Sequence, residues 1–169
     1  MSPLDNGNRW SALSVTLFVL GCLALVSSRS PAWALVNESR SLPRGLYIRI
    51  PGEAVARGTT VALLPPAAAR PYLARLGAPA DQRLLKRVAA VGGDRVCRDG
   101  DRIETPARRV AAPPADRRGP ALPEWRECRR LEAHEVFLLG DTPNSFDSRC
   151  FGPVDRSLLL GVYREAALW

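Results

Sequence analysis

The chain has 169 residues, 46% of them hydrophobic, with 15 prolines and 13 glycines, which is room for one ordinary domain plus an appendage. So many turn residues favour short β elements over a helical bundle. The net charge is +7, but the basic residues are scattered from Arg9 to Arg164 without a long run or zinc-finger spacing; this argues against a nucleic-acid partner and leaves a solvated surface facing anionic membrane lipid.

Residues 10–28 (WSALSVTLFVLGCLALVSS) carry no charge and lie between Arg9 and Arg29. As a helix they span roughly 28 Å, close to the hydrocarbon thickness of a bilayer. Trp10 and Trp33 stand where interfacial aromatics usually do. The expectation is a transmembrane anchor over 10–28, preceded by a short N-terminus at 1–9 and followed by a linker at 29–36. The competing reading is a cleavable signal peptide, since Ala32-Trp33-Ala34 fits an A-x-A cleavage site. Arg29 and Pro31 lengthen the spacer to that site and favour the anchor. Arg9 and Arg29 nearly balance, so charge alone does not orient it.

A string of short strands follows. Residues 45–50 (GLYIRI) alternate and stop at Pro51-Gly52, and 59–64 (TTVALL) stop at Pro65-Pro66. Residues 67–76 read as a short helix. Residues 84–91 (LLKRVAAV) read as a strand ending at Gly92-Gly93. Residues 95–98 and 101–105 flank Asp99-Gly100, a two-residue hairpin signal. Residues 106–124 are rich in Pro, Arg and Ala and read as a surface loop. Residues 135–139 (EVFLL) and 158–164 (LLLGVYR) read as further strands. The fold class expected is mostly β, with coiled antiparallel sheets behind one N-terminal transmembrane helix.

Catalytic options narrow quickly. His134 is the only histidine and sits before an apolar strand, where a turn histidine is the plain explanation. A Ser-His-Asp triad would need it, and no G-x-S-x-G elbow is present. One histidine and no C-x-x-C leave no metal site and no cofactor to expect. Of 24 basic residues, Lys86 is the single lysine. Arginine keeps its proton in a protein, whereas a buried lysine can release it. In a strand, Leu84, Lys86 and Val88 share one face. If that face is buried, desolvation lowers the amine's pKa and lets it accept a serine proton. The alternatives are chance in an arginine-rich chain and a lysine snorkelling from an edge strand.

Two further segments matter. In 37–47 (NESRSLPRGLY), Pro43 disfavours helix at Leu42, so Ser39 and Ser41 sit in extended, irregular chain before a strand. In 139–154 (LGDTPNSFDSRCFGPV), Asp147 and Arg149 have the spacing of a structural ion pair within a polar turn. Either segment alone reads as a loop. Cys22 lies in the apolar run. Of the other three cysteines, Cys97 and Cys128 are expected to pair in an oxidising compartment, leaving Cys150 free beside the site.

Together, in order and over nearly the whole chain, these segments resemble the type I signal peptidase family. The resemblance rests on the anchor, the serine box at Ser41, Leu85-Lys86-Arg87-Val88 with Gly92-Gly93-Asp94, Gly140-Asp141, and Ser145-Phe146-Asp147-Ser148-Arg149. The tight Ser-Leu-Pro-Arg-Gly-Leu-Tyr spacing and the closing Ala166-Ala167-Leu168-Trp169 resemble its conjugative-transfer (TraF-type) branch. Gly93, Cys150 and the short Gly140-to-Ser145 turn depart from the usual pattern.

The resemblance implies Ser41 as nucleophile and Lys86 as general base. It implies that the Ser145 hydroxyl orients the amine, and that the Ser41 N–H and Ser39 hydroxyl serve as oxyanion donors. Asp147 and Arg149 would form a supporting salt bridge, with Gly140 and Asp141 in the turn behind the site. It implies a single-pass protein of a bacterial inner membrane, with 1–9 cytoplasmic and a serine-protease domain at 37–169 in the periplasm. The substrates implied are exported, pilin-like precursors with small residues at the first and third positions before the cut, the acyl group passing to water or to an internal amine. Competing readings are a general signal peptidase, a LexA-like self-cleaving repressor and a non-catalytic, membrane-anchored assembly subunit. The repressor needs a DNA-binding domain and no anchor, the reverse of residues 1–36.

Overall fold

The computed structural model describes residues 14–15, 31–79, 81–112 and 122–169. The chain divides into two compact units, Met1–Ala32 and Trp33–Trp169. In the first, Ser14 and Val15 are helical. The anchor expected over 10–28 otherwise lies outside the described residues. Among the described residues, no helix is long and apolar enough to cross a membrane.

The second unit is mostly β, and every strand pairing in it is antiparallel. One sheet has seven strands: β1 (Ala34–Asn37), β2 (Gly45–Arg49), β3 (Thr60–Leu63), β4 (Leu84–Val91), β9 (Glu135–Leu139), β10 (Val154–Asp155) and β11 (Leu159–Leu168). Their spatial order is β1-β2-β11-β3-β4-β9-β10. The other has four: β5 (Arg95–Asp99), β6 (Arg102–Glu104), β7 (Arg109–Ala111) and β8 (Cys128–Arg130), in the order β7-β6-β5-β8. Two short helices, α1 (Arg70–Arg75) and α2 (Ser148–Phe151), lie between strands.

The apolar runs explain the order. All four residues of β3 are buried, with Val61 and Leu63 packed in one apolar cluster and Ala62 in another, so both faces are covered; such a strand reads as a near-continuous apolar run. Val61 and Leu63 of β3, Val88 of β4, Val136 and Leu138 of β9 and Val162 of β11 form one core. Burying each such side chain is worth about 1.5–3 kcal/mol. A second core holds Val96, Ile103, Trp125, Phe137 and Leu139, so β9 serves both cores.

Several boundaries differ from the sequence expectation. Ala34–Asn37, the last three residues of the linker expected at 29–36 and the first of the domain, forms β1 because its backbone pairs with β2, Ala34 opposite Ile48 and Asn37 opposite Gly45. The expected loop 106–124 contains β7, which folds back on β6 through a turn where Thr105 Oγ1 both accepts the Arg108 N–H and donates to the Arg108 carbonyl. The hairpin turn is displaced by one residue. Asp99 pairs with Arg102, and Gly100-Asp101 form the loop, Gly100 taking the positive φ of 57° that a glycine tolerates. Strand β11 runs on to Leu168 because a bulge between Glu165 and Ala167 lets it stay on β2. Helix α1 is shorter than expected, with Pro71 in its first turn.

Candidate active site

Three chain segments meet at one cleft: the turn between β1 and β2, the first half of β4, and the connection from β9 to α2. The cleft measures about 670 Å³. Leu35, Leu73, Leu84 and Phe146 give it apolar walls, while Ser41, Lys86 and Ser145 line it with polar groups. Phe146 is held by stacking on Tyr72 of α1, with ring centroids 4.5 Å apart.

The turn 38–44 is folded around one buried side chain. Asn37, at the end of β1, is 6% exposed. Its Nδ2 donates to the carbonyls of Ser39, Leu42 and Pro43 at 3.1, 3.1 and 2.9 Å. Its Oδ1 accepts from the Ser39 N–H at 3.3 Å and the Ser39 hydroxyl at 2.8 Å. Tyr47, fully buried on β2, donates its hydroxyl to the Pro43 carbonyl at 2.8 Å. Leu42 packs with Tyr47, Ala62, Leu85 and Tyr163. The turn is thus pinned at both ends, which fixes Ser41 between them.

Lys86 is 4% exposed on β4, and its Nζ lies 2.9 Å from Ser41 Oγ. Burial pulls its pKa from the ordinary 10.5 down to about 8. Asp147, and more weakly Asp141, draw it upward, and Arg149 opposes them. Ser39 Oγ lies 2.8 Å from Ser41 Oγ. The Ser41 N–H meets no acceptor among the described residues.

Behind Ser41 and Lys86, Asp147 and Arg149 form a buried ion pair, with Arg149 Nε 2.9 Å from Oδ1 and Nη2 2.7 Å from Oδ2. Asp147 Oδ2 also accepts the Gly140 N–H at 2.7 Å. Arg149 reaches the Ala111 carbonyl at 2.9 Å and the Thr142 carbonyl at 2.7 Å. Gly140 is a steric necessity, since a Cβ there would stand 2.1 Å from Ser145 Oγ and 2.8 Å from the Ser41 carbonyl oxygen. The Asp141 N–H donates to that same carbonyl at 2.6 Å. The Asp141 carboxylate pairs with Arg87, which also holds Glu165 of β11.

The structure therefore brings Ser39, Ser41, Lys86, Gly140, Asp141, Ser145, Asp147 and Arg149 into one neighbourhood. It does not join Ser145 to the amine: Ser145 is buried at the cleft, but its Oγ has no hydrogen-bond partner among the described residues. A disulfide joins Cys97 to Cys128, directly opposite each other on β5 and β8. Cys150 is free and buried, its thiol pushed up to about 11 by burial and by Asp147. His134 is exposed in a turn beside Asp155.

Sequence reasoning missed Asn37, Arg87 and Arg98. Asn37 had a local signal, because an asparagine just before a turn commonly bonds the backbone two residues on. Arg98 has none. Its buried guanidinium pairs with Glu124 and donates to the carbonyls of Ala112 at 2.9 Å, Trp125 at 3.3 Å and Arg149 at 3.5 Å. Nothing in a sequence marks a backbone carbonyl as a partner.

Comparison with known proteins gives a consistent set. The family described as signal peptidase, peptidase S26, matches residues 8–168. A plasmid transfer protein TraF of Escherichia coli is 33% identical over 160 residues, covering 87% of this chain and 90% of that protein. A conjugal transfer protein TraF of Agrobacterium tumefaciens is 34% identical over 165 residues, covering 88% and 92%. A crystal structure of a signal peptidase I from Enterococcus faecalis is a looser likeness, 21% identical with a TM-score of 0.39 over 65% of this chain and 97% of that one.

Proposed function

The chain belongs to the signal peptidase family, peptidase S26, and on that premise we propose that it is a membrane-anchored serine endopeptidase with Ser41 as nucleophile and Lys86 as general base. The observation that carries this reading is the single lysine, buried, with its amine 2.9 Å from Ser41 Oγ. Burial favours the neutral amine, the form that can accept a proton.

The reaction is acyl transfer. Neutral Lys86 takes the proton from Ser41 Oγ as that oxygen attacks the scissile carbonyl. The negative charge on the carbonyl oxygen is met by the Ser41 N–H and the Ser39 hydroxyl. Lys86, now an ammonium, gives its proton to the leaving amine, and the acyl group remains on Ser41 as an ester. A water molecule or an internal amine of the substrate then attacks the ester, with Lys86 again as base. Ser145 stands at the cleft as a further group to steady the amine, and the Asp147–Arg149 pair with the Gly140-Asp141 turn holds the backbone behind Ser41.

The substrates proposed are exported precursors with small residues at the first and third positions before the cut. Relatives named as plasmid and conjugal transfer proteins support a pilin-like precursor of a conjugation system. The topology proposed is single-pass in a bacterial inner membrane, with 1–9 cytoplasmic, 10–28 spanning and 37–169 periplasmic. The Cys97–Cys128 disulfide favours an oxidising compartment for the domain. Ser41 follows Ser28 by 13 residues, a linker of at most about 45 Å. A precursor anchored in the same bilayer presents its cleavage site in that zone, which raises effective concentration without tight binding.

The test is incubation of the full chain, in lipid vesicles, with candidate pilin precursors, followed by intact-mass analysis. Wild type should yield two products and Ser41→Ala none. A product lighter than the linear fragment by one water identifies attack by an internal amine. Cleavage by Ser41→Ala at the wild-type rate would overturn the assignment.

A further inference from the structure

The hydrogen bonds of Asn37 fix more than the shape of the turn; they fix which way protons point at the two serines. The Ser39 N–H can only donate, so the Asn37 atom facing it is the acceptor, Oδ1. The opposite atom faces three carbonyls, which only accept, so it is the nitrogen. With Oδ1 so placed, the Ser39 hydroxyl at 2.8 Å is the donor in that contact. A hydroxyl has one hydrogen. At the 2.8 Å contact between Ser39 Oγ and Ser41 Oγ, the donor is therefore Ser41. In this arrangement the Ser41 proton points away from Lys86, and the 2.9 Å contact with the amine is an Nζ–H donated to Ser41 Oγ.

We propose that Asn37 is a positioning residue for the reaction, acting through Ser39: its Oδ1 holds the Ser39 hydroxyl beside Ser41, and its Nδ2 locks the turn that carries both. This rests on the Ser41/Lys86 reading. Before attack, the Ser41 hydroxyl rotates from Ser39 to the neutral amine. When the substrate's carbonyl oxygen becomes negative, the Ser39 hydroxyl rotates from Asn37 to that oxygen. A neutral amide acceptor suits this second rotation. It is strong enough to hold Ser39 in one rotamer, yet weaker than an oxyanion as a competitor for the proton, since hydrogen bonds to charged groups are roughly twice as strong. A carboxylate in its place would compete on equal terms.

The experiment is a double-mutant cycle on cleavage of a precursor peptide, with kcat and KM measured separately for wild type, Asn37→Ala, Ser39→Ala and the pair. Asn37→Ala should lower kcat by about 10- to 100-fold while KM stays within about threefold. Ser39→Ala should lower kcat by roughly 100-fold, as loss of one oxyanion donor does. In the Ser39→Ala background, Asn37→Ala should cost at least about threefold less in kcat than it does in wild type, the remainder being the turn that Nδ2 holds. Asn37→Gln keeps both an acceptor and a donor and serves if the alanine variant does not fold; its longer side chain moves the acceptor off Ser39, so it should lower kcat with Ser39 present and cost less with Ser39→Ala. An equal loss in both backgrounds, or a loss carried by KM, would show a purely structural role and overturn the proposal. The Ser41→Ala control separates the two layers. Turnover by Ser41→Ala sinks the dyad itself, whereas an inactive Ser41→Ala with uncoupled Asn37 and Ser39 sinks only the role of Asn37.

Discussion

The two sheets treat charge in opposite ways. In the seven-stranded sheet, β4 buries Lys86 beside Ser41, with burial lowering the amine's pKa. In the four-stranded sheet, the buried Arg98 and the half-exposed Arg109 are paired with carboxylates. Arg98 meets Glu124 and four carbonyls, and Arg109 meets Glu104. Arg149 links the two sheets: its guanidinium is paired with Asp147 and donates to the carbonyl of Ala111, the last residue of β7. A charge that must stay fixed is satisfied completely. The Lys86 amine, which the proposed reaction needs to gain and lose a proton, is buried with the Ser41 hydroxyl as its hydrogen-bond partner. The one buried amine of the chain is also its one lysine, and a lysine can lose its proton where an arginine cannot.

The sharpest way to break this contrast is to make the mobile charge permanent. Lys86→Arg should lower cleavage by on the order of 10³-fold or more while the protein stays folded. Turnover by intact mass, with circular dichroism as the folding control, decides it; near-normal turnover would dissolve the distinction between the two sheets.

Breaking the fixed charge should act on stability first. Asp147→Ala leaves Arg149 buried without its carboxylate and frees the Gly140 N–H. Losing one partner of a buried pair costs about 3–5 kcal/mol, to be read from the denaturant midpoint at constant m. A variant within about 1 kcal/mol of wild type would mean that the pair is not the joint between the sheets.

Part of this contrast is legible in the sequence and part is not. Lys86 stands out by composition, and the strands 84–91 and 135–139 come out at the bounds expected, because their largely apolar stretches are bounded by turn residues such as Gly92-Gly93 and Gly140-Asp141. Ser41 is legible only through the family pattern, as a serine in a loop carries no signature alone, whereas the Asp147–Arg149 ion pair is legible from its spacing but not its place beside Ser41 and Lys86. Strands β1, β7 and β8 are three or four residues long and owe their form to the backbone beside them rather than to their own periodicity. The brace of Arg98 and Arg149 on carbonyl oxygens is invisible for the same reason: every residue offers a carbonyl.

The smaller effects fall on the four-stranded sheet. The disulfide spans 31 residues between β5 and β8. Replacing Cys97 and Cys128 with serine should cost about 2–4 kcal/mol and change kcat less than about tenfold, since neither cysteine touches the cleft. Thermal melts and kinetics on the same sample test both halves. A loss of kcat as large as that of Lys86→Arg would place the four-stranded sheet within the chemistry rather than behind it.

The most direct test of the central claim is the pH dependence of kcat/KM for wild-type cleavage, which reports the free enzyme. Burial holds the Lys86 amine at about 8 instead of 10.5. Below that value the amine is protonated and cannot accept the Ser41 proton; above it, the amine is neutral and competent. The rate should therefore rise about tenfold per pH unit from pH 6 and level off above an apparent pKa near 8. A profile flat from pH 6 to 9, or one that falls as pH rises, would contradict a neutral lysine base.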